Sequence, residues 1–299
     1  MAYKLGRKES AAAGIKRIVA EQIENSLKAA QRKTNPNDDA VHTLRKRLKQ
    51  VRAALRLVRD DMGENLFRQE NAVFRDAARP LSEMRDAAVM IETLDQLLRH
   101  SPDKIRPEAF KPLRDALSER RDRIRTHAMG PQHTMERVEA ILRDALRRVQ
   151  MWPVRHSGWK AVKPGLQRNY KQGREAMANA LQDGSDEAMH QWRKRVKYQW
   201  HHLEILCNSW KEILEPLARQ AHTLSDLLGE HHDLAVLRQL VNGELSDALE
   251  KNQHETVLAL LSARQKKLQK KAAKLGRRLS EEREDEFISR LHGYWKAWR

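Results

Sequence analysis

The sequence is poor in the residues that mark disulfide-rich, membrane-spanning and base-stacking proteins. It has one cysteine, Cys207, in 299 residues, which excludes a disulfide within the chain and a multi-cysteine metal site. No stretch approaches 18 consecutive apolar residues, and residues 1–30 lack the apolar run of a signal peptide. We therefore expect a soluble, cytoplasmic protein. Aromatic residues make up only 5% of the chain, which disfavours the stacking platforms that bind single-stranded nucleic acid.

The motifs of common catalytic sites are also missing. The chain has no phosphate-cradling glycine loop and no motif that supports Ser-His-Asp catalysis. The pairs His201-His202 and His231-His232 suggest nickel or zinc. Adjacent histidines point in different directions on a helix, however, and no further ligands complete a site. We therefore predict a protein that is not an enzyme and that has neither a metal site nor a cofactor.

Positive charge, by contrast, is abundant. The chain has 58 Lys and Arg residues against 41 Asp and Glu residues, which gives a formal net charge of +17 and a pI of about 10.1. This balance implies an acidic partner, which could be nucleic acid, an anionic membrane surface or a phosphate polymer.

The apolar residues recur at helical rather than alternating spacing, so we predict an all-α protein. Ser10 is placed to cap a first helix over residues 10–32, and Thr34–Asp39 reads as a turn followed by an acidic first turn. Arg79-Pro80, Pro102 and Gly130-Pro131 predict further breaks. The clearest interruption is at residues 151–164, where two prolines and two glycines lie within the 14 residues from Trp152 to Gly165. We interpret it as the joint between two halves, residues 10–150 and 165–292.

One predicted helix, residues 41–59, carries an apolar stripe beside a basic stripe. At about 100° per residue, six of its basic residues fall within a stripe roughly 100° wide: His42, Arg45, Lys49, Arg52, Arg56 and Arg59. The apolar stripe contains Leu44, Leu48, Val51, Leu55 and Val58. Neighbouring cations at this spacing repel one another, so a polyanion outside the helix is the natural partner.

This stretch has a second copy later in the chain. Aligning His42 with His190, 148 positions on, also matches the cations of the two segments: Arg45 with Arg193, Lys46 with Lys194, Arg47 with Arg195 and Lys49 with Lys197. A second block, residues 81–90, is repeated at residues 228–237 and aligns Asp86 with Asp233. Two blocks repeated in the same order indicate an internal duplication. Such halves commonly pack about a pseudo-twofold axis, which would bring both basic stripes towards one groove or pore.

The pattern His-x-x-Arg-Lys-x-x-Lys in each half, with the later Leu-Gly-x-x-His-Asp-Leu-Ala-Val-Leu block, resembles the CHAD family (conserved histidine α-helical domain). The resemblance covers residues 10–292 and implies one domain, a helical bundle of two pseudo-symmetric halves that binds inorganic polyphosphate without catalysis and associates with polyphosphate granules. It implies a set of polyphosphate ligands: His42, Arg45, Lys46, Lys49, Arg52, His190, Arg193, Lys194 and Lys197. Tyr170 and Arg174 resemble a further family feature, and we add Arg56 from the basic stripe.

Some alternatives stay open from the sequence. Trp200-His201 replaces the family's Arg-Tyr, so the cation that would match Arg52 is missing and the second half-site is expected to be weaker. Arg56 and Arg59 are equally consistent with solvated or ion-paired side chains, and the basic run over residues 264–278 is consistent with a solvated surface or with an extension of the polyanion footprint. The runner-up functions are binding to nucleic-acid backbones and a metal-binding scaffold, and the oligomeric state is not predicted. The Glu-x-Glu-x-Lys signature of the CYTH catalytic domain, which accompanies many CHAD-like domains, is absent.

Overall fold

The computed structural model describes residues 3–31, 38–100, 107–127 and 131–299. Within these ranges the chain forms helices and no strand, which confirms the predicted all-α class. The helices are α1 (Ala11–Gln31), α2 (Asp38–Leu57), α3 (Arg59–Met62), α4 (Glu64–Arg99), α5 (Lys111–His127), α6 (Pro131–Val149), α7 (Trp159–Asp183), α8 (Asp186–Leu206), α9 (Lys211–Asn242), α10 (Lys251–Leu279) and α11 (Glu284–Trp298). The predicted turn at residues 34–37 and the breaks at Pro102 and Gly130 lie outside the described residues.

The apolar stripe on and just after α2 faces the core, as its periodicity predicts. Its five members are all 0% exposed: Leu44, Leu48, Val51, Leu55 and Val58. They belong to a core cluster that also contains residues of α1, α6, α7 and α11. Burying one such side chain contributes about 1.5–3 kcal/mol. This burial fixes the rotation of α2 and thereby sets the direction in which the neighbouring cations point.

The helices of the two halves follow the same order of packing. Helix α1 contacts α2, α2 contacts α4 and α4 contacts α5, while α7 contacts α8, α8 contacts α9 and α9 contacts α10. The halves meet where α2 packs against α8 and α4 packs against α9. A pseudo-twofold axis relating the halves stays a prediction, as does a single domain over residues 10–292.

A buried histidine helps to hold α8 against α2. His202 is 0% exposed, and its Nε2 lies 3.0 Å from the Ala53 carbonyl oxygen, to which the Nε2–H tautomer donates a hydrogen bond. Burial lowers the pKa of His202 to about 3, so the ring is neutral at physiological pH. One of the histidines that suggested a metal site therefore serves the interface between α2 and α8.

Two breaks predicted from proline and glycine differ in the structure. Helix α4 runs continuously through Pro80. The predicted joint at residues 151–164 is shorter in the structure, because α7 begins at Trp159 and contains Pro164 and Gly165. A Cβ atom on Gly165 would clash with the carbonyl oxygen of Leu57. The glycine thus permits close approach of α7 to the end of α2 instead of ending a helix.

Candidate functional site

Two cavities lie between α2, α4, α8 and α9, where the halves meet. Cavity A has a volume of about 670 Å³, and its walls include Arg52, Arg56, His190 and Lys194. Cavity B has a volume of about 430 Å³, and its walls include His42, Lys46, Trp200 and His222. The two cavities share seven wall residues: Arg45, Lys49, Asp86, Arg193, Lys197, His201 and Asp233. They therefore meet along a common wall at the centre of the interface between α2 and α8.

The structure brings ten of the twelve predicted ligands to these walls. Arg45, Lys49, Arg193 and Lys197 belong to both cavities. His42 and Lys46 line cavity B, while cavity A is lined by Arg52, Arg56, His190 and Lys194. Two helices from different halves thus supply both sets of cations.

Helical spacing and a helix cap explain how these side chains reach the cavities. On each helix a histidine, an arginine and a lysine follow one another at spacings of three and four residues, which places them on one face. These residues are His42, Arg45 and Lys49 on α2 and His190, Arg193 and Lys197 on α8. Both helices have this histidine in their second turn, since α2 begins at Asp38 and α8 begins at Asp186. Ser185 caps α8, where its Oγ accepts a hydrogen bond of 3.2 Å from the Ala188 N–H.

The shared lysines, Lys49 and Lys197, are half-buried among other cations. Burial, together with the positive charges of Arg45 and Arg193, lowers the pKa of Lys49 to about 8, while Asp86 and Asp233 act in the opposite direction. Burial also lowers the pKa of Lys197 well below its ordinary value, with Arg193 and Lys49 acting in the same direction. A nearby anion would favour the charged form of both lysines.

Two arginine N–H donors in the shared wall have no hydrogen-bond partner among the described residues. The Arg45 Nη2 donates a hydrogen bond of 2.9 Å to Asp86 Oδ1, but the Nε atoms of Arg45 and Arg193 are buried and have no hydrogen-bond partner among the described residues. A buried donor without a partner costs about 1–3 kcal/mol. An oxyanion in the shared region would satisfy these donors and balance the lysine charges.

The two motif histidines are neutral in this environment. Burial lowers the pKa of His42, and the nearby Arg85 and Lys49 lower it further. His190 is affected in the same way by burial and by Lys194, and its Nδ1 is buried with no hydrogen-bond partner in the described chain. The His190 and His232 rings lie 4.3 Å apart, centroid to centroid. That each histidine donates a hydrogen bond to phosphate stays a prediction, and its alternative is a role in local packing.

Arg52 and Arg56 are held in cavity A by neutral groups. The Asn71 Oδ1 accepts hydrogen bonds from the Arg52 Nε at 3.1 Å and from the Arg56 Nη1 at 2.9 Å. The Arg56 guanidinium also lies 4.2 Å from the centroid of the Tyr198 ring, a cation–π contact. Burial lowers the pKa of Arg56 to about 10. Arg59, by contrast, forms a forked ion pair with Glu64 at 2.7 and 2.8 Å, in agreement with the ion-paired alternative.

Comparison with protein families fits this geometry. A family model for the CHAD domain matches residues 17–242 of the 299-residue chain. The chain belongs to the CHAD family. The CHAD domain is a binding domain that is associated with polyphosphate in general terms. No match was found among curated proteins.

The match to the CHAD model ends before α10 and α11, yet both helices belong to the packed structure. Phe287 and Leu291 of α11 lie in the same core cluster as the apolar stripe of α2. Leu261 of α10 packs with residues of α4, α5 and α9 in a second cluster. Both helices therefore contribute to the scaffold around the two cavities.

Two residues expected from the CHAD resemblance line neither cavity. Tyr170 is 1% exposed, its ring stacks on Phe287 with centroids 4.0 Å apart, and its hydroxyl donates a hydrogen bond of 2.9 Å to the Glu282 carbonyl. Tyr170 thus packs α7 against α11. Arg174, one turn further along α7, also lies outside both sets of wall residues.

Several wall residues were not predicted from the sequence. Arg75, Arg195 and His232 line cavity A, and Arg85 lines cavity B. Arg195 stands inside the repeated motif and Arg85 directly precedes Asp86 in the second repeated block, so the duplication itself could have indicated both. Arg75 precedes that block, and only the packing of α4 against α2 shows its position.

Trp200 occupies the place where the CHAD pattern has a cation. Its ring lies 3.9 Å from the His222 ring and 4.3 Å from the His201 ring, centroid to centroid. Cavity B therefore has an aromatic cluster at this position. Across the described chain, no group of three or more His, Cys, Asp or Glu side chains has the arrangement of a metal site.

The basic run on α10 lies mostly in solvent. Lys266, Lys267, Lys270 and Lys271 are exposed, whereas Arg264 pairs with Glu230 at 2.5 Å. Among the helices described, none is both long enough and apolar enough to cross a lipid bilayer.

Proposed function

We propose that this CHAD protein binds inorganic polyphosphate, without catalysis, through the cavities between α2 and α8. The supporting observation is the shared wall, where Arg45, Lys49, Arg193 and Lys197 from both halves lie together with unused buried donors. Polyphosphate offers a receptor little except repeated negative charge. A rigid array of arginine forks and lysine ammonium groups matches that chemistry.

The shape of the site favours polyphosphate over duplex DNA. Lys49 and Lys197, whose pKa values are lowered by burial, line cavities of about 430 and 670 Å³ rather than an open surface. A duplex, whose major groove alone is about 12 Å wide, is too broad to enter them. A single flexible chain of phosphates is narrow enough to reach the shared wall.

A competition experiment tests this choice of ligand. Labelled long-chain polyphosphate is bound at physiological salt, and unlabelled polyphosphate or duplex DNA is added at equal phosphate concentration. We expect polyphosphate to displace the label and DNA to leave it bound. Displacement by DNA at a comparable phosphate concentration would favour binding to nucleic-acid backbones instead.

Charge reversal tests the location of the site. The double variant Lys49→Glu/Lys197→Glu should abolish polyphosphate binding, because it places carboxylates in the shared wall. The matched control is Lys266→Glu/Lys270→Glu, which makes the same change in net charge on the exposed face of α10. Circular dichroism checks that helicity is retained. Equal losses of affinity in the two variants would contradict the assignment and indicate a nonspecific effect of net charge.

Targeting to polyphosphate granules is part of the proposal and has its own test. We expect a fluorescent fusion of the chain to concentrate on granules in cells that make polyphosphate and to become diffuse when polyphosphate is removed. Localisation that survives the removal of polyphosphate would contradict targeting. It would leave the binding reaction itself to be judged by the competition experiment.

A further inference from the structure

The two cavities differ sharply in charge outside their shared wall. Cavity A adds five basic residues and, among its described wall residues, no further carboxylate: Arg52, Arg56, Arg75, Lys194 and Arg195. Cavity B adds two basic residues, Lys46 and Arg85, together with three acidic residues, Glu92, Asp226 and Glu230. The common wall is therefore flanked by a strongly basic cavity on one side and a nearly neutral one on the other.

Ion pairing changes this difference without removing it, since the Glu230 carboxylate of cavity B is paired with Arg264, at 2.5 Å. In cavity B, Arg85 forms a forked ion pair with Glu92 at 2.8 and 3.0 Å, so its charge is already compensated. In cavity A, Arg52 and Arg56 are bonded to the neutral amide oxygen of Asn71, and neither forms an ion pair with a described residue. Arg75 of cavity A does form an ion pair with Asp76, at 2.9 Å, on the exposed side of α4.

The sequence repeat shows where this asymmetry arises. With the offset of 148 positions that aligns α2 with α8, Arg52 corresponds to Trp200 and Arg56 corresponds to Glu204. The Glu204 carboxylate in turn contacts His201 Nδ1 at 2.8 Å. The later repeated block has an offset of 147, and extending that offset back along α4 pairs Arg75 with His222. Arg52 and Arg75 of cavity A thus correspond to Trp200 and His222 of cavity B, while Arg56 corresponds to Glu204, which lies outside the walls of both cavities.

We propose that polyphosphate binds this protein from one side only, in cavity A and against the shared wall, and that cavity B contributes little to holding the chain. This inference rests on the proposed function and specifies which of the two cavities holds the polyphosphate chain. A polyanion gains Coulomb energy from the cations of cavity A. In cavity B it would have to displace carboxylates from existing ion pairs and would meet the Trp200 cluster.

The repeat supplies a matched pair of variants. Lys194 and Lys46 occupy equivalent positions, are both exposed, and lie in cavities A and B respectively. Lys194→Glu and Lys46→Glu make the same change in net charge, and affinity for linear polyphosphate is measured by isothermal titration calorimetry at fixed salt. We expect Lys194→Glu to weaken binding about tenfold or more and Lys46→Glu to weaken it no more than about threefold.

A second variant tests the cause of the asymmetry. Trp200→Arg restores a cation at the position that corresponds to Arg52, and we expect Lys46→Glu to become several-fold more damaging in that background. Equal weakening by Lys46→Glu and Lys194→Glu in the otherwise unaltered chain would overturn one-sided binding while leaving the proposed function intact. If the unaltered protein does not bind polyphosphate at all, the proposed function fails and the inference fails with it.

Discussion

Polyphosphate affinity should fall as pH rises from 7 to 9, because the shared lysines must be charged to bind the ligand. Lys49 of α2 faces Arg45 on its own helix, Arg193 and Lys197 on α8, Asp86 on α4 and Asp233 on α9. Burial, with the surrounding arginines, lowers the pKa of Lys49 to about 8. A bound phosphate chain would raise this pKa again by favouring the charged ammonium.

The size of the effect follows from the fraction of charged lysine. With a pKa of about 8, Lys49 is roughly nine-tenths protonated at pH 7 and roughly one-tenth protonated at pH 9. Binding that requires the charged form therefore weakens about tenfold over this range, equivalent to about 1.4 kcal/mol. The pKa of Lys197 is lowered well below its ordinary value by the same causes, so any titration of Lys197 in this range acts in the same direction.

Titration calorimetry at pH 7, 8 and 9 with linear polyphosphate measures the loss directly. The matched control is Lys49→Arg/Lys197→Arg, because arginine stays charged across this range. We expect the control to hold its affinity nearly constant between pH 7 and pH 9. A flat pH profile for the unaltered protein, or an equal loss in the double arginine variant, would refute the role assigned to these lysines.

Three further predictions follow from single positions. Lys49→Met should raise the free energy of unfolding of the ligand-free protein by about 1–3 kcal/mol at pH 7, because it removes a charge that burial disfavours. Urea denaturation measures this change, and the same variant should bind polyphosphate more weakly. A loss of stability would mean that the charge of Lys49 is already well compensated. Asp86→Asn should strengthen polyphosphate binding about two- to fivefold at low salt, since it removes a carboxylate from the shared wall. The control Asp122→Asn, on the exposed face of α5, should leave the affinity unchanged. Weaker binding by Asp86→Asn would show that Asp86 is needed to position Arg45. Gly165→Ala should destabilise the fold by about 1–3 kcal/mol or more, because its Cβ would clash with the Leu57 carbonyl. Gly293→Ala, which meets open space on α11, should be neutral or stabilising, and equal effects of the two glycine variants would contradict the close-packing explanation.

Periodicity and duplication made much of the site predictable. The 3.6-residue period separates Leu44 and Leu48 from Arg45 and Lys49 on α2, and the structure buries the leucines and brings the cations to the cavities. The repeat then directs attention to Arg193 and Lys197 on α8. Neither inference requires knowledge of how the helices pack.

The errors arose where tertiary packing overrides a local signal. Gly165 and Pro80 read as breaks, yet the glycine permits a close helix contact and the proline lies inside α4. Tyr170 stays a prediction from the CHAD resemblance; its ring stacks on Phe287, outside the walls of both cavities. Arg75 was missed because a residue on a different helix reaches cavity A only through the packing of α4 against α2.

The most direct test of the central claim is a crystal structure of the protein grown with linear polyphosphate. The account predicts electron density for phosphate groups in cavity A and along the shared wall, with phosphate oxygens within about 3 Å of Lys49 Nζ and the Arg193 guanidinium. Phosphates bound only on the exposed lysines of α10, with both cavities free of ligand, would contradict it.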